Sequence, residues 1–195
     1  MKKKPLQTGR PRNDQLNAQI KKATWDLLAE QPLADLTINE IARRAETTRP
    51  AVYRRWSSVE DIVIDAFLDA VSENVPSPQL SEPPKQLREY IVLLCNFVNS
   101  RVGRVIAEIL GRAQSDPVLM AKFQNVYLLP RRGHASEIIK RGQESGYFRS
   151  DLDMDFIIDL YAGPIYFRAF SHHSSLDASF AERLANEVLT TLMRK

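Results

Sequence analysis

Apolar positions along this chain repeat at three- and four-residue intervals almost from end to end, the spacing of helices with one buried face. Leu16, Ile20, Ala23, Leu27 and Leu28 form the first stripe. It predicts a helix from an Asn13 cap to about Glu30, ended by Pro32. A second, shorter helix has Thr37 as its cap and Glu40 three residues later, a capping box, with Leu36 and Ile41 placed as a hydrophobic staple. Ile38, Ile41, Ala42 and Ala45 make its buried face, and Arg43 and Arg44 point to solvent. After the break Glu46-Thr47-Thr48, Thr48 caps a third helix and Pro50 sits in its first turn, where a missing N–H costs nothing. Val52 and Trp56, four apart, turn inward. Arg49, Ala51, Tyr53, Arg54 and Arg55 are then expected outside.

The same period continues. A fourth helix is expected over about 58–74, apolar around much of its circumference. The stretch VPSPQLSEPP at 75–84 holds four of the chain's 11 prolines and marks a linker. Beyond it the pattern predicts helices over about 85–100, 102–113, 117–145 with a kink at Pro130, 153–172 interrupted at Gly163-Pro164, and 177–193. Gly146 stands in a C-cap position. The fold class is therefore all-α. A small three-helix domain over 13–57 is followed by a connecting helix over 58–74 and a larger helical bundle over 75–195. Residues 1–12, with five Lys or Arg spaced by Pro5, Gly9 and Pro11, are expected to form a disordered basic arm, and the GRPR at 9–12 suits a minor groove.

Charge changes the picture. The net +3 divides unevenly: residues 1–56 carry 12 Lys+Arg against 6 Asp+Glu, and the remainder carries 15 against 18. Positive charge thus gathers on the helix pair, where a polyanion would bind. Apolar residues at 44% provide for a packed core. No apolar run reaches the roughly 18 residues of a bilayer span, no apolar leader follows the first lysines, and the single cysteine, Cys95, rules out an internal disulfide framework. These features point to the cytoplasm and to no membrane partner. Phosphate loops, nucleophile elbows and dinucleotide fingerprints are missing, so an enzyme is not expected. His134, His172 and His173 lack the spacing of a metal set, and neither metal nor cofactor is implied.

The run LTINEIARRAETTRPAVYRRWSSVEDIV resembles the N-terminal signature of TetR-type transcriptional regulators. The capped Leu-Thr start, the Ile-Ala pair, Val-Tyr-Arg-Arg-Trp and Ser-x-Glu-Asp carry the likeness over about 13–70. It extends more weakly to 71–195 through helix number and length and through LYAGPIYFRAF. The resemblance implies an all-helical homodimer. Its small domains would bind a palindromic double-stranded operator, and its larger domains would bind a small molecule that releases the DNA. Three residues depart from the family pattern: Glu46 replaces a turn glycine, Val59 a phosphate-meeting lysine, and Ser57 a common proline. A left-handed backbone at Glu46 costs on the order of 1 kcal/mol relative to glycine.

Phosphate contacts position such a domain and base contacts specify its site. Thr37 at its helix start and the Tyr53 hydroxyl suit phosphates, the latter also implied by the resemblance. Arg49, Ala51, Arg54 and Arg55 are candidates for the groove, an arginine bridging guanine and Ala51 meeting a thymine methyl. Thr48 and Pro50 approach closely. Ile165, Tyr166, Phe170, Leu184, Val188 and Leu192 are candidates for a dimer surface. Cys95, Val98, Phe123, Tyr127, Tyr161 and Phe167 are candidates to line a pocket for a moderately apolar effector. A DNA binder without an effector remains the alternative.

Overall fold

The computed structural model describes residues 11–72 and 82–193. Among them are ten α-helices and no strand. The chain divides into two compact units, residues 1–70 and 71–195. Of the basic arm expected over 1–12, residues 1–10 lie outside the described residues, as does most of the proline-rich stretch; Pro11 and Arg12 are helical, not extended, and open α1.

The first unit holds α1 (Pro11–Glu30), α2 (Ile38–Arg44), α3 (Arg49–Tyr53) and most of α4 (Val59–Ser72). Helix α1 begins at Pro11, two residues before the expected cap, because a proline needs no partner for an N–H in a first turn. Its buried stripe is Ile20, Ala23, Leu27 and Leu28, with Thr24 buried beside them and its hydroxyl donating to the Ile20 carbonyl at 2.9 Å. Helix α1 packs on α2, and α2 on α3. Arg44 is held by Glu30 through two hydrogen bonds, 2.9 and 2.5 Å. Only Arg43 of the two arginines expected to be solvated is fully exposed.

Helix α2 ends in a Schellman motif. The Glu46 N–H donates to the Arg43 carbonyl at 3.2 Å and the Thr47 N–H to the Ala42 carbonyl at 2.9 Å. Glu46 pays for this with φ = +49°, the left-handed backbone that the sequence made conditional. Glu46→Gly is therefore expected to stabilise the first unit by about 1 kcal/mol. Urea unfolding followed by circular dichroism checks this, and an unchanged or lowered midpoint counts against it.

The second unit holds α5 (Pro83–Val98), α6 (Arg101–Ala113), α7 (Pro117–Phe123), α8 (Leu129–Glu144), α9 (Met154–Ser171) and α10 (Ala178–Met193). Pro83 and Pro84, the last prolines of the expected linker, open α5. Helix α5 is the central element, packed against α6, α8, α9 and α10. Ser100 makes the corner with α6: its hydroxyl accepts from the Val102 N–H at 3.1 Å and donates to the Phe97 carbonyl at 2.6 Å. The two helices bend there by 74°. Asp116, Asp153 and Ser100 cap α7, α9 and α6 with side-chain oxygens. Gly146, at φ = +75°, follows the end of α8, as its position after a helical run predicts.

Two expectations about prolines are corrected. The segment 117–145 is not one helix kinked at Pro130. A π-helical turn, Gln124–Leu128, separates α7 from α8, and Pro130 lies in the first turn of α8. A proline ring crowds the carbonyl four residues back, here that of Val126, and a widened turn relieves it. Helix α9, by contrast, runs unbroken through Gly163-Pro164. Both residues are exposed, so the ring faces outward, and the helix gives up only the bond that Pro164 would have donated.

Candidate nucleic-acid interface and inner cavity

In the first unit the caps fix the register of the helix pair. The Thr37 hydroxyl oxygen accepts from the Glu40 N–H at 3.2 Å and donates to the Glu40 carboxylate at 3.0 Å. The Thr48 oxygen accepts from the Ala51 N–H at 3.4 Å. Val52 and Trp56 are buried, and the Trp56 indole donates to Asp65 at 2.7 Å, which ties α3 to α4. On so short a helix this inward pair decides everything else. Arg49 with Tyr53 and Pro50 with Arg54, each four apart, form the outward face. The Arg49 guanidinium lies 5.9 Å from the Tyr53 ring, and Tyr53 is 50% exposed. Thr37 and Thr48 are exposed at the two helix starts.

Two expected groove residues leave this face. Ala51 is only 6% exposed, because it shares the inward side with Val52. Arg55, one turn after Ala51, is half-buried. Its guanidinium donates to Asn17 of α1 at 2.5 Å and to the Ala51 carbonyl at 2.6 Å. It braces the domain instead of facing out. The sequence pattern held a clue: Ala51 and Arg55 are each one residue before an inward position, on the flank of the stripe.

In the second unit, four tyrosines converge near Arg131. The Tyr127 and Tyr166 hydroxyls lie 3.4 Å apart, and the Tyr90 ring meets the Tyr161 ring edge-on at 6.2 Å. The Tyr90 hydroxyl donates to the Arg131 carbonyl at 3.3 Å. Burial pushes the Tyr90 phenol up to about 12 and those of Tyr127, Tyr161 and Tyr166 upward, so all four are neutral hydroxyls. Around them is a void of about 30 Å³, and beside it opens a cleft of about 300 Å³ lined by Leu93, Leu94, Phe97 and Val102. Tyr90, Leu94 and Arg131 border both.

Of the expected pocket residues, Tyr127 and Tyr161 border the void. Phe123 stacks on Tyr127 with ring centres 5.0 Å apart. Cys95 and Val98 are buried in the helical core, although Val98 also borders a separate cleft of about 620 Å³ with Gly103, Arg104 and Arg168; burial raises the Cys95 thiol to about 11, leaving it unreactive. Phe167 is 64% exposed and packs on His173 at 5.0 Å, outside the cavity. Helix periodicity could not place it, since α9 is apolar on nearly every side. Tyr90 and Arg131 were missed. Arg131 sits four residues after Tyr127, a spacing that puts both on one helical side, and that was the available signal.

Three expected dimer residues are also corrected. Ile165, Val188 and Leu192 are buried in the core of the second unit itself, and Leu184 is half-buried. Tyr166 is turned toward Tyr127, and Phe170 stays at the surface. The outward apolar positions of α9 are instead Phe156, Gly163, Phe167 and Phe170, with half-buried Leu160 on their flank against the core, at alternating four- and three-residue spacing.

A capped helix pair that presents a short basic helix outward is the geometry of a helix-turn-helix DNA-binding protein. Residues 20–66 match the family described as Bacterial regulatory proteins, tetR family, and residues 84–188 match Tetracyclin repressor-like, C-terminal domain. The uncharacterized helix-turn-helix regulator YdeS of Bacillus subtilis is 30% identical over 176 residues, covering 90% of this chain and 89% of its own. Among solved structures, a TetR regulator from Haloarcula marismortui superposes with a TM-score of 0.73 at 19% identity, covering 93% of this chain and all of its own. The regulator FadR from Bacillus subtilis, in complex with stearoyl-CoA, does so with 0.70 at 17%, covering 90% and 98%. The chain belongs to the TetR family of transcriptional regulators. Its relatives are regulators, not enzymes. Among the described residues no single helix is long and apolar enough to cross a membrane.

Proposed function

We propose that this chain is a ligand-responsive repressor that works in the cytoplasm as a homodimer on a palindromic operator. The observation that carries the reading is the outward face of Arg49, Pro50, Tyr53 and Arg54, fixed by two threonine caps and an inward Val52–Trp56 pair. Arg49 and Arg54 reach base edges and Tyr53 a phosphate, while Thr37 and Thr48 bring their helix starts to the backbone. One helix of this length spans only a few base pairs, so two must act together. Two-fold dimers put recognition helices roughly 34–36 Å apart, or a multiple of that. The exposed stripe on α9 supports the pairing: Phe156 is 55% and Phe167 64% exposed, a cost that a second copy removes.

Response to a ligand is supported by the cavity in the second unit, and by FadR, a fold neighbour that holds stearoyl-CoA. Selection of genomic fragments by the purified protein tests the reading. The expected result is enrichment of an inverted repeat, bound at one dimer per site. Broad enrichment without a shared sequence would leave only a non-specific DNA binder.

A further inference from the structure

Arg131 carries a donor that the protein does not answer. Its Nη2 is buried and, among the described residues, has no hydrogen-bond partner. The neighbouring Arg132 shows the ordinary arrangement, held by Asp155 at 2.7 Å and Asp159 at 2.6 Å. No carboxylate among the described residues reaches Arg131. Its guanidinium instead lies over the Phe97 ring at 4.3 Å and the Tyr127 ring at 4.9 Å. The four surrounding phenols cannot supply the missing anion, because burial raises every one of them and keeps it protonated. They supply hydroxyl donors. A buried cationic donor left unpaired is costly, and such groups are normally answered by an anion.

The two cavities around this group differ in character. The void of about 30 Å³, bordered by Arg131, Tyr127, Tyr161 and Tyr166, has room for a group of about one or two water molecules in size. The cleft of about 300 Å³ is walled by Leu93, Leu94, Phe97 and Val102 and sits at the small end of ligand pockets. The first suits a compact acceptor and the second a small apolar body.

We propose that the effector is a small monocarboxylate, its carboxylate taken by Arg131 Nη2 with a tyrosine hydroxyl and its apolar remainder in the cleft. Cationic amphiphiles are excluded by the same charge. This inference rests on the second unit being the effector domain. An aryl acid and a medium-chain alkyl acid share the required chemistry, so both are probes.

The test is calorimetric titration of the full chain with 1-naphthoate and with decanoate, each against its primary amide. At least one acid is expected to bind ten-fold or more tightly than its amide, since a hydrogen bond to a charged group contributes about 10- to 100-fold. Arg131→Met is expected to remove the acid's advantage and leave amide binding unchanged. Equal affinity of acid and amide overturns the proposal. So does failure of both acids to bind at about 1 mM. The comparison of acid with amide on the unaltered protein decides the matter even if Arg131→Met does not fold. Release of operator DNA is measured separately. Acid binding without release keeps the carboxylate site and removes the repressor reading, and release by a neutral compound with no acid binding does the reverse.

Discussion

Arg49→Ala/Arg54→Ala is expected to weaken operator binding on the order of 10³-fold with no change in melting temperature. Both side chains are exposed, on α3 and at its C-cap, and among the described residues neither is in an ion pair; Arg49 lies against the Tyr53 ring. Their removal leaves the Thr48 cap and the Val52–Trp56 pair intact. A good bidentate base contact contributes about 1–3 kcal/mol of discrimination. Two such contacts, doubled by a two-fold dimer, amount to at least about 4 kcal/mol, which is nearly three decades in affinity. Fluorescence anisotropy with the selected operator at fixed salt measures the effect. A loss below about ten-fold would reject α3 as the reading helix. The salt series separates roles: loss of a phosphate contact lowers the salt slope by about one per arginine, whereas loss of a base contact relaxes sequence preference. Arg55→Ala makes the opposite pattern. It breaks the bonds to Asn17 and the Ala51 carbonyl, so stability falls first and affinity follows.

The contrast between Arg54 and Arg55 shows where sequence reasoning ends. Capping residues act within one turn, so Thr37 and Thr48 were legible from spacing alone. The left-handed turn was legible only as a possibility, because a glutamate disfavours positive φ, and Glu46 nevertheless adopts +49°. Flank positions were not legible. Whether Arg55 faces solvent or Asn17 depends on where α1 passes, 38 residues earlier, and no local pattern encodes that distance.

The second unit repeats the lesson on a larger scale. Helix existence followed from apolar period, but α9 is apolar around most of its surface, so its inward and outward sides could not be told apart. Ile165 and Phe167, two residues apart, came out reversed: Ile165 is in the core and Phe167 at the surface. Pro164 was expected to break the helix because proline usually does; an exposed ring on one side of a helix does not. The cavity needed tertiary information, since Tyr90, Tyr127, Arg131, Tyr161 and Tyr166 come from α5, the π-helical turn, α8 and α9.

Gly103→Ala is expected to destabilise the second unit by about 2 kcal/mol, while Gly111→Ala, in the same helix, stabilises it by about 0.5–1 kcal/mol. Intrinsic preference favours alanine at both positions, by up to about 1 kcal/mol. The difference is space. A Cβ on Gly111 meets nothing within 4 Å. A Cβ on Gly103 would stand 1.8 Å from the Val98 carbonyl oxygen and 2.7 Å from its carbon. These are backbone atoms, and Val98 is itself buried in the core, so no rotamer change relieves the clash. Relief requires opening the 74° bend between α5 and α6, against the Ser100 bonds that hold it. Overpacking of this kind costs about 1–3 kcal/mol, occasionally more, and here it outweighs the helical gain. Urea unfolding of the two variants measures both signs, and equal midpoints would refute a corner locked by this glycine. Phe97, Ser100 and Val102 line the cleft beside Arg131, so the bend also sets its width. Gly103→Ala should therefore lower acid binding as well as stability, whereas Gly111→Ala leaves binding unchanged. A ligand that still binds Gly103→Ala at full affinity would show that the cleft does not depend on this corner.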